Sequence, residues 1–176
     1  QKDGVSAILF RQKLAGNAAP RTLRSASKPE PKKFAIEAKG SMPRMTVMRD
    51  PVFAPDPMFA VGRSGEVAFH YGVGYRLDVV DSTGRVVRVL TRPITPRKVT
   101  DSDRAAYQAL GDSIARAAGR EPTRVSYEVP FADLMSIVGK MRSDATGRLW
   151  VQRRGFRGSD NGPIDVLTSA GQYIGT

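Results

Sequence analysis

The feature that most constrains this chain is that it says the same thing twice. "GEVAFH" at 65–70 is answered by "GRLWVQ" at 147–152, "LDVV" at 77–80 by "IDVL" at 164–167, and "DSTGRVV" at 81–87 by "TSAGQYI" at 168–174. Gly65 matches Gly147, Asp78 matches Asp165 and Gly84 matches Gly171. Within each piece apolar and polar residues alternate, which is the two-residue period of a half-buried strand, and glycine closes the turns. A small sheet built this way cannot bury both faces alone, so repeats of it must stack. A helical insertion of about 40 residues separates the copies. Without it the period falls to ~40–45, that of a four-stranded propeller blade.

The rest of the chain fits around those copies. "MFAV" at 58–61 precedes "EVAFHY" (66–71), "YRLDVVD" (75–81) and "RVVRVLT" (85–91), so four strands joined by tight turns form an antiparallel meander. "SIVGKMRSDATG" (136–147) leads into strands at 148–153 and 163–168, and "QYIGT" (172–176) starts another. Residues 101–118 are expected to be the one long helix, with Thr100 as N-cap, Asp101 and Asp103 in the first turn, and Gly119 at the C-terminus. Ala106, Leu110 and Ile114 give it a narrow apolar stripe, which suits an insertion lying on a surface. Upstream, "VSAILFRQKLAGNAAPRTL" (5–23) reads as strand, turn and strand. "SKPEPKK" (27–33) reads as a breaker and "FAIEA" (34–38) as a short strand.

These runs, "GRLWVQRR…GPIDVLTSAGQYIGT" and "GEVAFHYGVGYRLDVVDSTGRVVRVL", resemble the six-bladed β-propeller proteins of bacteria that carry NHL-like repeats. The resemblance covers residues 56–95 and 137–176, with a weaker match at 5–25. It departs from the pattern where "RSG" and "ATG" replace the usual Asp before the turn glycine. It implies an all-β chain: a partial β-propeller of four-stranded antiparallel blades with one inserted α-helix. The implied layout is the outer strands of an incomplete first blade and a linker at 1–55, a blade at 56–95, the helical insertion at 96–135 and a second blade, incomplete at its outer strand, at 136–176. Leu149 and Val151 then face one neighbouring blade, while Arg148, Trp150 and Gln152 face the other way. The resemblance also points to an exported or periplasmic protein rather than a cytoplasmic one.

Composition narrows the function. The absence of Cys removes disulfides, thiolate metal sites and Cys nucleophiles together. No stretch reaches the ~20 apolar residues of a membrane span, and the apolar patch in "QKDGVSAILFRQK" is too short for a signal-peptide core. A start at Gln rather than Met leads to the expectation of further chain upstream. The formal charge is +11, but the basic residues are scattered, without a run of five. They read as a solvated Arg-rich surface, and specific nucleic-acid binding is not expected.

Candidate chemistry is sparse. His70 is the single His, and no carboxylates stand near it at metal-ligand spacing, so no metal or cofactor is expected. "GVG" (72–74) and "GFRGSDNG" (155–162) lack P-loop and dinucleotide spacing, Asp160 and Asn161 do not follow the EF-hand pattern, and no G-x-S-x-G occurs. His70, Trp150, Arg153 and Arg154 are the candidates to face a ligand. Gly65, Asp78, Gly84, Gly147, Asp165 and Gly171, recurring at equivalent places, are expected to serve the repeat, the two Asp by accepting a neighbouring backbone or Arg hydrogen bond. The function expected is a non-enzymatic scaffold or recognition module for a protein or small-molecule ligand. Its missing faces would be supplied by further blades or by a second copy. The alternatives are a propeller-type hydrolase or lyase with its site at the channel mouth, and non-specific nucleic-acid binding through the Arg-rich surface.

Overall fold

A computed structural model describes residues 6–11, 21–27, 31–36, 45–119, 129–155 and 162–176. Within them the fold is all-β but for one helix. Met58–Val61 (β5), Val67–His70 (β6), Arg76–Val80 (β7) and Val86–Thr91 (β8) form an antiparallel four-stranded sheet in sequence order. Val138–Ser143 (β9), Leu149–Arg153 (β10), Ile164–Leu167 (β11) and Tyr173–Gly175 (β12) form a second sheet of the same order. Two shorter antiparallel pairs precede them: Ser6–Arg11 (β1) with Arg21–Ser27 (β2), and Lys32–Ile36 (β3) with Met45–Arg49 (β4).

Alternation along the strands decides how the two large sheets meet. In the first sheet Ala60, Ala68 and Val79 stand opposite one another on one face, with His70 and Leu77 beside them. That face packs against Leu149, Val151 and Leu167 of the second sheet, making the main core together with Tyr75, Ile137 and Val138. Each Leu, Ile or Val among them contributes about 1.5–3 kcal/mol on removal from water. The contact runs the full width of the sheets. Ser143 Oγ at the end of β9 donates to the Val61 carbonyl at the end of β5, and Arg88 of β8 donates to the Ser169 carbonyl in the β11–β12 turn at 2.9 Å. The first sheet's other face meets β2, where Leu23 packs on Val67 and Val80.

The helix Asp101–Ala117 (α1) begins at Thr100 with a reciprocal capping box. The Thr100 side chain accepts from the Asp103 amide, and the Asp103 carboxylate accepts from the Thr100 amide. Arg97 clamps the same carboxylate through both its terminal nitrogens, at 2.6 and 2.8 Å. The expected apolar stripe is not what docks the helix. Leu110 and Ile114 are 59% and 62% exposed. Its docking residues are the buried Asp103 and the partly buried Tyr107, whose ring meets Phe53 and Phe131 edge-on at 5.9 and 5.7 Å. Val52, Phe53, Phe131 and Met135 make this a second, smaller core, which no strand periodicity announces. β3 begins at Lys32, inside the stretch read as a breaker. Its pairing with β4, Phe34 opposite Val47, outweighs the local polarity; residues 37 and 38 lie outside the described part.

Candidate functional site

The repeat positions organise the joints. Asp78 and Asp165 both lie on the third strand of their sheets, on the face turned toward the preceding unit, and both are fully buried. Each receives an arginine from that preceding unit. Arg24 of β2 reaches Asp78, and Arg92, just beyond β8, reaches Asp165 at 2.6 Å. Each also has an arginine within its own sheet: Arg76 at 3.0 Å from Asp78, and Arg153 at 3.4 Å from Asp165. Thr176 adds a hydrogen bond to Asp165 at 2.7 Å. The two carboxylates therefore do one job, bolting a sheet to the one before it. The turn glycines share in this. Gly84 and Gly171 have φ of 84° and 85°, a region costly for other residues. A Cβ on Gly84 would lie 3.0 Å from the Leu23 carbonyl oxygen, and one on Gly171 would lie 2.5 Å from the Leu90 side chain. Gly65 and Gly147 close the preceding hairpins at φ of 82° and 83°.

Tyr75 sits in the same buried cluster. Burial first, and the Asp165 charge second, push its phenol well above the usual range. Arg92 lies 4.4 Å from the Tyr173 ring centroid, and the Asp165 hydrogen bond raises its pKa further.

Of the four residues expected to face a ligand, His70 does not. It is fully buried on the face joining the two sheets. Its Nδ1 lies 2.9 Å from the Arg76 carbonyl oxygen, which can only accept, so Nδ1 carries the proton and Nε2 is left as a bare acceptor without a partner. Burial holds its pKa below the ordinary value.

Trp150 lies on the outward face of the second sheet, beside Arg142 and Val166, with Lys140, Gln152 and Ile164 on the same face. Its indole N–H donates to Asp144 at 2.9 Å, and this bond is the leading cause of the low Asp144 pKa. Asp144 belongs to a loop that sequence comparison missed. "DSTGR" (81–85) and "DATGR" (144–148) are one motif at two different hairpins. In each, the Asp accepts from the Thr amide, the Thr hydroxyl and the Arg amide. The outward face forms a shallow depression of about 570 Å³ lined by Lys140, Arg142, Trp150, Gln152 and Ile164.

Arg153 ends β10 and Arg154 follows it at one rim of the sheet, where they line a separate pocket with Arg97. The 156–161 part of the loop between β10 and β11 lies outside the described residues. Among the described residues no helix is long and apolar enough to cross a membrane, and no three His, Asp or Glu gather as metal ligands.

The chain matches no protein-family model, and no curated protein shows significant sequence similarity to it.

Proposed function

We propose that this protein is a non-enzymatic recognition and scaffold module built of propeller-type blades, and that it engages its partner through the outward face of the β9–β12 sheet. The partner we infer is a sheet of the same kind, which a second copy supplies in pure solution.

One comparison carries the reading. By sheet register, Trp150, Gln152 and Ile164 stand where Ala68, His70 and Leu77 stand in the first sheet. There the second sheet covers them, leaving 7%, 0% and 0% exposed, whereas Trp150 and Ile164 are 40% and 41% exposed. The same positions are thus a docking surface in one sheet and open in the next. The chemistry is also alike. Each described joint sets arginine from the preceding unit against aspartate of the following sheet. The open face is apolar at its centre and carries both Arg142 and Asp144 beside it, so it suits an apolar sheet with polar groups of either charge at its margin. The rival reading, a hydrolase or lyase, has no support from His70, which is sealed between sheets.

Sedimentation velocity tests this. The wild type is expected to self-associate at ~10–100 µM, and Ile164→Arg, which places a charge at the centre of the face, to stay monomeric with the same thermal stability. A wild type that remains a compact monomer over that range, or an Ile164→Arg variant that associates equally, would overturn the reading.

A further inference from the structure

We infer that the rim pocket at the end of β10 is a binding site for an oxyanion carried on a small apolar body, a phosphate monoester or a carboxylate. This goes beyond the recognition of a partner sheet and uses different residues.

The pocket has a volume of about 160 Å³ and lies where the chain enters β9 and leaves β10. Arg97, Arg153 and Arg154 line it together with Thr95, and Ile94 and Met135 add apolar wall. Arg92 and Arg153 share Asp165 beside this rim, and Arg97 is paired with Asp103. Arg97 is fully engaged by Asp103, and Arg153 stands 3.4 Å from Asp165. Among the described residues Arg154 takes no part in the ion pairs of this rim, and its Nε is buried without a hydrogen-bond partner. A half-buried guanidinium left in that state is costly unless an anion completes it.

Arg154 is held in place by the fold. Its amide donates to the Ile137 carbonyl at 2.8 Å. Its stem lies over Gly139 of β9, where a Cβ would come within 3.2 Å of the Arg154 Cγ. On the far side Gly162 presses so closely on the 153–155 backbone that any side chain there would collide with the Arg153 carbonyl. Gly139 thus leaves room for the arginine stem, and Gly162 lets the chain pass close beside the backbone that carries it. The planar fork of a guanidinium matches an oxyanion edge, with Thr95 as a further donor. The apolar wall asks for more than an inorganic ion, and the volume limits the body to a small one.

The test is a titration of the wild type at low ionic strength with phenyl phosphate, benzoate, inorganic phosphate and benzyl alcohol, followed by thermal shift and by the amide signals of Ser136, Ile137 and Gly139. Phenyl phosphate or benzoate is expected to bind below ~10 mM, inorganic phosphate more weakly and benzyl alcohol not at all. The stronger of the two organic anions identifies the natural headgroup. Arg154→Ala is expected to weaken that binding about tenfold, the worth of one charge-assisted hydrogen bond, and Arg154→Lys, which keeps the charge but loses the fork, to weaken it less. The inference is overturned if neither organic anion moves those signals at ~10 mM, if benzyl alcohol binds as well, or if Arg154→Ala or Arg154→Lys leaves affinity unchanged or raises it. Should Arg154→Ala fail to fold, the wild-type titrations and Arg154→Lys still decide. None of these readouts depends on self-association, so failure here leaves the partner-sheet reading standing, and the reverse.

Discussion

Replacing Asp165 with Ala removes the carboxylate that joins the two large sheets. The side chain is fully buried and is the shared partner of Arg92 at 2.6 Å, Arg153 at 3.4 Å and Thr176 at 2.7 Å. Breaking a fully buried pair by deleting one member costs about 3–5 kcal/mol, chiefly because the surviving charge is stranded. Here the survivors are partly wet: the Arg92 and Arg153 side chains are 28% and 24% exposed. Water relieves part of the penalty, so Asp165→Ala is expected to cost about 2–3 kcal/mol. Asp165→Asn keeps the shape and one acceptor and is expected to cost about 1–2 kcal/mol. Arg92→Ala should cost less than Asp165→Ala, because the carboxylate keeps Arg153. Urea unfolding followed by Trp150 emission reads this out. With a slope of about 1–3 kcal/mol per M, the Ala variant should lower the midpoint by about 1–2 M at unchanged slope. A loss under about 0.5 kcal/mol would refute the claim that this carboxylate bolts the sheets together, since that is the size of a surface substitution.

Burial holds the His70 pKa below its ordinary 6.5. The unfolded chain therefore takes up a proton before the folded one does, and stability, complete above pH 6.5, should fall as pH drops from there toward the folded value. His70→Gln should flatten that part of a urea-midpoint profile. Gly84→Ala should cost about 2 kcal/mol, from a left-handed backbone and a Cβ set against rigid Leu23 backbone, and more than Gly171→Ala, whose obstacle is the flexible Leu90 side chain; thermal melts would rank the two. Thr100→Ala should cost about 1 kcal/mol by uncapping α1, visible in the same melts. Duplex DNA should bind no tighter than about micromolar and lose affinity steeply with salt, as contacts spread over a surface do; filter binding across a salt series would show it.

The sheets were legible because their signal is local. Alternation in "RLDVV" and "RVVRVL" and glycine at positive φ place β7 and β8 to within a residue, and the Gly, Asp, Gly spacing exposes the second copy. What stayed hidden depends on partners far along the chain. Arg24 and Arg92 look like any other surface arginines until β2 and the segment after β8 are laid on the next sheet. Phe53, Tyr107 and Phe131 lie far apart in sequence, on segments without strand period, and they meet only through tertiary packing. The stripe of Leu110 and Ile114 misled for the converse reason, since periodicity reports a face but not whether anything covers it. Two signals were available and unused: the doubled D-x-T-G-R hairpin, and Gly139 near the start of a strand, where a missing side chain marks something passing close.

Trp150 is the only tryptophan of the chain and stands on the open sheet face itself, so its fluorescence measures the central claim with no label. Acrylamide quenching would be followed across a dilution series of the wild type from ~100 µM to ~0.1 µM, spanning the affinities typical of weak protein association. A face covered by a partner sheet predicts that quenching falls and emission shifts to the blue as concentration rises, and that Ile164→Arg abolishes both changes. Emission and quenching that stay constant over the whole series, at the level expected of a half-exposed indole, would contradict it.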